Sequence, residues 1–176
     1  EQVDPTTWEF RLREGVIYHD GSPFNANAAA FVLNFSYSEK EAFPIRKFMG
    51  PLIMAEAIDE YTLRITTDEP DPLIPERMYF TGIPSMQAIK SSRDTYDTRP
   101  IGTGPYKLKE WRRGQYLVLE ANPDWWGLND PEIDDPDFET VRFLFRPEGG
   151  VRSSMVLAGE ADIGQFLDSD QCTQMK

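Results

Sequence analysis

His19, Asp20 and Ser22 are the residue types from which a nucleophile and its base are built, and they stand within four positions of one another. A catalytic triad needs its groups to converge in space, whereas neighbours in an extended turn point apart. Asp20 and Ser22 instead suit a turn in which both side chains bond backbone amides. His19 is the chain's single histidine, so hydrolysis by a histidine mechanism has no second residue to rest on, and no catalytic residue is assigned. From Asp130 to Glu139 the chain carries six acids and no base. Calcium takes about six to eight oxygens, and Asp130, Glu132, Asp134, Asp135 and Asp137 could supply several. The stretch lacks the glycine of a calcium loop, and Pro131 and Pro136 stiffen it, so it reads as a solvated surface loop with no metal and no cofactor. Thirty acids offer many carboxylate pairs for glycoside hydrolysis, but no motif fixes a separation between two of them. Gly102-Thr103-Gly104 lacks the lysine and the following helix of a phosphate loop. What remains is stacking on Tyr79, Phe80, Trp111, Trp125 or Trp126. The two tryptophans at 125 and 126 read as packing, while Tyr79-Phe80-Thr81-Gly82 lies between a helix and a proline turn and is the more open segment. These residues by themselves give no enzyme.

The elements that position these residues can be drawn from local patterns. Residues 7–13 form a strand with Trp8, Phe10 and Leu12 on one face. Asn25 caps a helix from Ala26 to about Glu39. Residues 52–58 and 62–67 pair as a hairpin around Asp59-Glu60, and Pro70, Pro72 and Pro75 punctuate a short helix reaching about Tyr79. A small helix and polar loop follow over residues 84–97, with Ser91 to Arg99 expected to be mobile. Tyr106 to Trp111 and Tyr116 to Leu119 alternate around Arg112-Arg113-Gly114 as a second hairpin. A strand is expected at 138–145, a helix from Gly150 to Gly159 with Val151, Met155 and Ala158 on one face, and a last strand at 161–165. Locally paired strands with interspersed helices and no βαβ run give an α+β fold, with mixed and antiparallel sheets and flanking helices.

The chain's 176 residues allow about 70% of the unfolded surface to be buried, enough for one or two cores. Its net charge of −12 argues against nucleic acid, whose binding rests on Lys and Arg neutralising phosphates, and against anionic lipid. Cys172, alone, excludes an internal disulfide and a cysteine-rich zinc site. No apolar run is long enough to span a membrane, and Glu1 to Pro5 lack the basic start and apolar core of a signal peptide.

Pro100-Ile101-Gly102-Thr103-Gly104-Pro105-Tyr106, its hairpin and the turn Asn122-Pro123-Asp124-Trp125-Trp126-Gly127 together resemble the bacterial extracellular solute-binding proteins of family 5, the dipeptide-, oligopeptide- and nickel-binding components of ABC importers. Three further landmarks follow the family's order: the strand from Trp8 to Val16 with His19 to Phe24 after it, the hairpin from Ala57 to Ile65, and the helix-Gly-Glu segment from Val156 to Ile163. The resemblance implies part of a two-lobed fold of the periplasmic-binding-protein type II kind. Residues 7–95 would form the family's extra domain, 96–168 part of lobe one, and 169–176 the start of a second lobe that is otherwise missing, so the chain reads as a fragment with its crossover at 163–169. It implies a small solute, with peptides foremost, captured by lobe closure and delivered by a monomer to an ABC permease in the membrane. The place implied is periplasmic or extracellular, with or without a lipid anchor. Tyr79, Phe80, Thr81 and Phe166 are the ligand contacts it suggests. The alternative is a solute-sensing domain of a transcription regulator. Because residue 104 precedes a proline, a positive or unusual φ is expected there, and Gly104→Ala is expected to cost about 1 kcal/mol or more.

Overall fold

The computed structural model describes residues 1–38, 50, 52–91 and 97–174. Two compact units are present, one comprising Glu1–Leu108 and Glu120–Glu139, the other Lys109–Leu119 and Thr140–Lys176. In the first, strands β1 (Gln2–Asp4), β2 (Thr7–Arg11), β3 (Leu52–Ala57) and β4 (Thr62–Thr67) form a sheet in the order β1-β2-β4-β3, with every neighbouring pair antiparallel. The alternation of β2 places Trp8 opposite Ile65 and Phe10 opposite Leu63, and β3 adds Ala55 and Ala57 against the same two residues. Leu63 and Ile65 are 2% and 0% exposed. Each is worth about 1.5–3 kcal/mol by burial alone. Helix α1 (Ala26–Tyr37) covers this face with Ala26, Ala29, Ala30 and Leu33, three of which have no bulk beyond Cβ and so let the helix lie close. Trp8, Phe10 and Leu12 pack against that cluster as the alternation requires. On the opposite face of the sheet Arg64 donates to Glu9 at 2.6 and 3.0 Å, a half-exposed pair of modest worth.

Asn25 caps α1 by accepting from the Ala28 amide at 3.0 Å. The helix ends at Tyr37, with the Ser38 amide turned to the Phe35 carbonyl at 3.2 Å; Glu39, the expected end, lies outside the described residues. Because β3 is an edge strand, its outward backbone groups need partners that no strand provides. Asn34 of α1 supplies both: its Nδ2 donates to the Ala55 carbonyl at 2.8 Å and its Oδ1 accepts from the Ala55 amide at 2.9 Å.

Helices α2 (Ile74–Tyr79) and α3 (Met86–Ser91) follow, then β5 (Tyr106–Arg112), β6 (Tyr116–Ala121), a 3-10 turn at Trp126–Asn129, β7 (Thr140–Leu144), α4 (Gly149–Leu157) and α5 (Ser169–Gln174). β5, β6 and β7 make a three-stranded sheet in that order. The turn between β5 and β6 closes with the Gln115 amide on the Arg112 carbonyl at 2.9 Å, and it needs Gly114 at φ +74°, a region that costs other residues strain. β7 is shorter than the expected 138–145. The segment expected to be mobile falls largely on residues 92–96, outside the described residues.

The strand expected at 161–165 does not form. A strand requires a neighbour to take up its backbone groups, and here Arg152 of α4 binds the Gln165 and Phe166 carbonyls instead, while Ile163 stands 79% exposed. Val151, Met155 and Ala158 do share a side of α4, but with Gly150, Ser154 and Glu160 they line an open depression, and the helix's buried residue is Ser153.

Asn34→Ala is expected to lower stability by about 1–3 kcal/mol, because it strands the amide and the carbonyl of a buried alanine at once. Urea unfolding of the purified chain measures this; an unchanged midpoint contradicts the capping role.

Candidate functional site

His19, Asp20 and Ser22 are each engaged by a different partner. The His19 Nε2 donates to the Gly104 carbonyl at 3.0 Å, its Nδ1 receives the Gly102 amide at 3.4 Å, and the His19 amide donates to the Gly102 carbonyl at 2.9 Å. One neutral tautomer satisfies both ring contacts, since a carbonyl can only accept. Asp20 takes the Ser22 hydroxyl at 2.5 Å and the Ser22 amide at 3.0 Å on Oδ1, and the Ser85 hydroxyl at 2.6 Å on Oδ2. Partial burial works to raise the Asp20 pKa, but the hydrogen bonds from Ser22 and Ser85 outweigh it and the pKa is lowered. The Tyr18 hydroxyl is buried with no hydrogen-bond partner among the described residues, and that burial, together with the Asp20 charge, pushes its pKa well above the usual tyrosine value. The constellation is a junction of turns, with the serine hydroxyl directed to Asp20 and the imidazole directed to the backbone.

Ser85 spreads this junction further. Fully buried, it caps α3 by accepting from the Ala88 amide at 3.1 Å, and its own amide donates to the Ile101 carbonyl at 3.0 Å. On the other side of the 100–106 turn, Asn122 donates through Nδ2 to the same Gly104 carbonyl at 3.3 Å and through its amide to the Pro105 carbonyl at 2.7 Å.

Helix α2 is fixed at its start by Asp71, which accepts from the Leu73 amide at 2.9 Å, pairs with Arg77 at 3.0 Å and offers its carbonyl to the Trp8 indole at 3.1 Å. Ile74 and Met78, one turn apart, face the core, so Tyr79 and Phe80 are turned outward. They stand 86% and 72% exposed, edge to face with ring centres 5.1 Å apart. Thr81 ends the helix: its amide donates to the Met78 carbonyl at 3.1 Å and its hydroxyl to the Arg77 carbonyl at 2.9 Å. Of the three expected contacts in this unit, the structure therefore brings Tyr79 and Phe80 together as an open aromatic surface and folds the Thr81 hydroxyl back as a helix stop. Thr81 at one end and Ser85 at the other hold residues 81–85 on a rigid base.

Phe166, in the second unit, is 90% exposed and adopts φ 55°, unusual for a residue with a side chain. Arg152 accounts for it. Its guanidinium bridges the carbonyls of Arg146 and Pro147, both at 2.6 Å, to those of Gln165 at 2.9 Å and Phe166 at 2.7 Å, and so clamps the chain in that conformation. Gly164 is small for reasons of space, since a Cβ there would lie 3.1 Å from Leu167 and 3.2 Å from Val156.

Trp125 is buried and packs on Trp126 with ring centres 5.4 Å apart, as the packing reading requires. Asp130 pairs with Arg13 at 3.0 Å, and the Arg13 guanidinium lies 4.4 Å from the Trp126 ring centre. Among the described residues no group of three potential ligands is placed to hold a metal ion. The expectation for Gly102 and Gly104 is corrected: neither has positive φ, and a Cβ at Gly104 would meet nothing within 4 Å. These positions serve through their backbone groups. The glycine with no room is Gly127, where a Cβ would lie 2.5 Å from the Trp125 ring.

The chain matches the family described as bacterial extracellular solute-binding proteins, family 5, over residues 1–176. A Brucella ovis protein named for peptide binding in an ABC transporter is 30% identical over 141 residues, which are 74% of this chain and 26% of that protein. The glutathione-binding protein GsiB of Escherichia coli is 25% identical over 177 residues, covering 98% of this chain and 33% of its own length. Among solved structures, the dipeptide-binding protein from Pseudoalteromonas sp. SM9913 in complex with Met-Leu superposes with a TM-score of 0.82 at 20% identity, over 98% of this chain and 38% of that one. At that identity the likeness shows the fold. The chain spans 26% of the length of the first of these curated relatives and 33% of the second. It belongs to family 5 of the bacterial extracellular solute-binding proteins.

Gly104→Ala is expected to change stability by less than about 0.5 kcal/mol, and Gly127→Ala to cost about 1–3 kcal/mol through overpacking against Trp125. Thermal melts of the two variants should separate clearly; the reverse ranking contradicts the backbone role given to Gly104. Asp20 generates a pH dependence. Its folded-state pKa is depressed, so its stabilisation is full above the ordinary value of 3.8 and is lost as pH falls through the lower folded value. Asp20→Asn should flatten the acid limb of a stability–pH profile in that range, and an unaltered limb contradicts the assignment.

Proposed function

From membership of family 5 we propose that these residues form one wall of a solute-binding receptor of an ABC importer, periplasmic or extracellular, free or lipid-anchored, with peptides as the solute. The observation that carries the proposal is the exposed Tyr79–Phe80 pair, mounted on a helix whose two ends are tied down by Asp71 and Thr81. Two large apolar rings left in water on a rigid base are suited to covering a side chain or a peptide plane, and they lose little freedom when they do so. Phe166, held outward by Arg152, is the second surface of this kind and the proposal counts it among the ligand contacts, with Thr81 contributing through the lone pairs of its hydroxyl. The Brucella ovis and Escherichia coli relatives are named for binding peptide and glutathione. In this reading residues 7–95 and 96–168 belong to the extra domain and lobe one, residues from 169 lead into a second lobe, and closure of that lobe sandwiches the solute before a monomer delivers it to the permease. Closure is favoured by ligand because contacts on both lobes exist only in the closed state.

Calorimetry with short peptides tests the proposal at two levels. The 176 residues alone should bind no peptide at micromolar concentration, since one wall cannot enclose a ligand. In a receptor of the relatives' full length that carries these residues, the double substitution Tyr79→Ala, Phe80→Ala should weaken peptide binding about tenfold while leaving the melting temperature in place. Full affinity in that variant contradicts the assignment of the wall.

A further inference from the structure

The charge of the chain is unevenly divided. The first unit contains 24 acids and 11 bases, a net of −13, and the second contains 6 acids and 7 bases, a net of +1. Within the second unit the bases are concentrated. Residues 109–115 and 140–146 hold five, Lys109, Arg112, Arg113, Arg142 and Arg146, against the single acid Glu110. Lys109 to Gln115 are all exposed, as is Arg142.

The arginines of this sheet face are ordered on aromatic rings. Tyr116 of β6 donates its hydroxyl to Glu110 at 2.8 Å, and Arg112 donates its Nε to the same oxygen at 2.9 Å. The guanidinium of Arg112 lies 5.4 Å from the Tyr116 ring centre and that of Arg142, on β7, lies 4.4 Å from it. Arg113 lies 5.1 Å from the ring centre of Trp111, which alternates with Glu110 and Arg112 along β5 and so belongs to the other face. Among the described residues no ion pair engages Arg142. Stacking removes much of the rotamer freedom that a surface arginine ordinarily loses when it is bound, and it leaves the charge and the edge donors outward. Arginine beside tyrosine and tryptophan is also the composition of energetic centres in protein interfaces.

We propose that the Arg112–Tyr116–Arg142 face is an interaction surface for an acidic segment of a polypeptide partner. Carboxylates of the partner meet the guanidinium edges. The inference is independent of which solute the aromatic pair of the first unit takes. It is also independent of whether that pair binds one, so the two readings fail separately.

The test uses the whole chain and poly-L-glutamate as the acidic probe, at about 20 mM salt where such contacts are least screened. Fluorescence anisotropy of labelled poly-L-glutamate should show binding by the wild type despite the chain's net charge of −12. Binding should fall about tenfold in Arg112→Gln, Arg142→Gln and recover only in part in Arg112→Lys, Arg142→Lys, which keep the charge but not the stacked planar edge. Arg11→Gln, on β2 of the first unit, should bind as the wild type does. Thermal melts confirm that the variants are folded. No binding by the wild type overturns the proposal, as does equal binding by the glutamine variant. Equal capture by phosphatidylglycerol vesicles, lost in the same variant, also overturns it, in favour of an anionic-lipid surface.

Discussion

The carbonyl of Gly104 receives two side-chain donors, His19 Nε2 at 3.0 Å and Asn122 Nδ2 at 3.3 Å, and the first unit is organised about that oxygen. Three distant stretches meet there: the turn after β2, the turn before β5 and the turn after β6. A neutral imidazole is well suited to the position because one tautomer donates to Gly104 and accepts from Gly102. A charged imidazole would set its second N–H against the Gly102 amide. Asp20, the next residue, carries the junction to Ser85, and Ser85 fixes both the start of α3 and the segment that begins at Thr81. The open aromatic pair is therefore supported from its far side by a network that never touches it.

This arrangement separates what identifies the family from what would meet a solute. The residues that carry the resemblance, His19-Asp20-Gly21-Ser22, Gly102-Thr103-Gly104 and Asn122 to Gly127, are occupied with one another or with the backbone. The exposed residues proposed as ligand contacts, Tyr79, Phe80 and Phe166, lie in short segments with no repeating pattern of their own.

Much of the scaffold was legible in the sequence because it rests on local rules. The alternation of Trp8, Phe10 and Leu12, the Asn25 cap, and the hairpins at 52–67 and 106–121 are set by neighbours in sequence, and the structure places them as expected. What could not be read depends on partners far along the chain. Asn34 looks like an ordinary helix residue until Ala55 lies beside it on an edge strand. The alternation of Ala161 to Gln165 suggests a strand, but Arg152 takes the carbonyls at its end. Gly104 invites an argument from φ, yet its worth is in its carbonyl, while Gly127 beneath Trp125 and Gly164 beside Leu167 are constrained by space. Glycine content alone does not distinguish a backbone conformation from a close approach. For the candidate site, sequence reasoning found the exposed rings but not the clamps, Asp71, Thr81 and Arg152, which hold them outward.

The central claim is that the Tyr79–Phe80 surface faces solute while the junction at Gly104 only supports it. The most direct measurement is a 19F spectrum of a full-length receptor carrying these residues, with 3-fluorotyrosine at position 79, taken before and after saturation with a peptide whose binding calorimetry has established. The Tyr79 resonance is expected to shift or to split into a bound line in proportion to occupancy. A resonance that stays fixed while the peptide is demonstrably bound would contradict it.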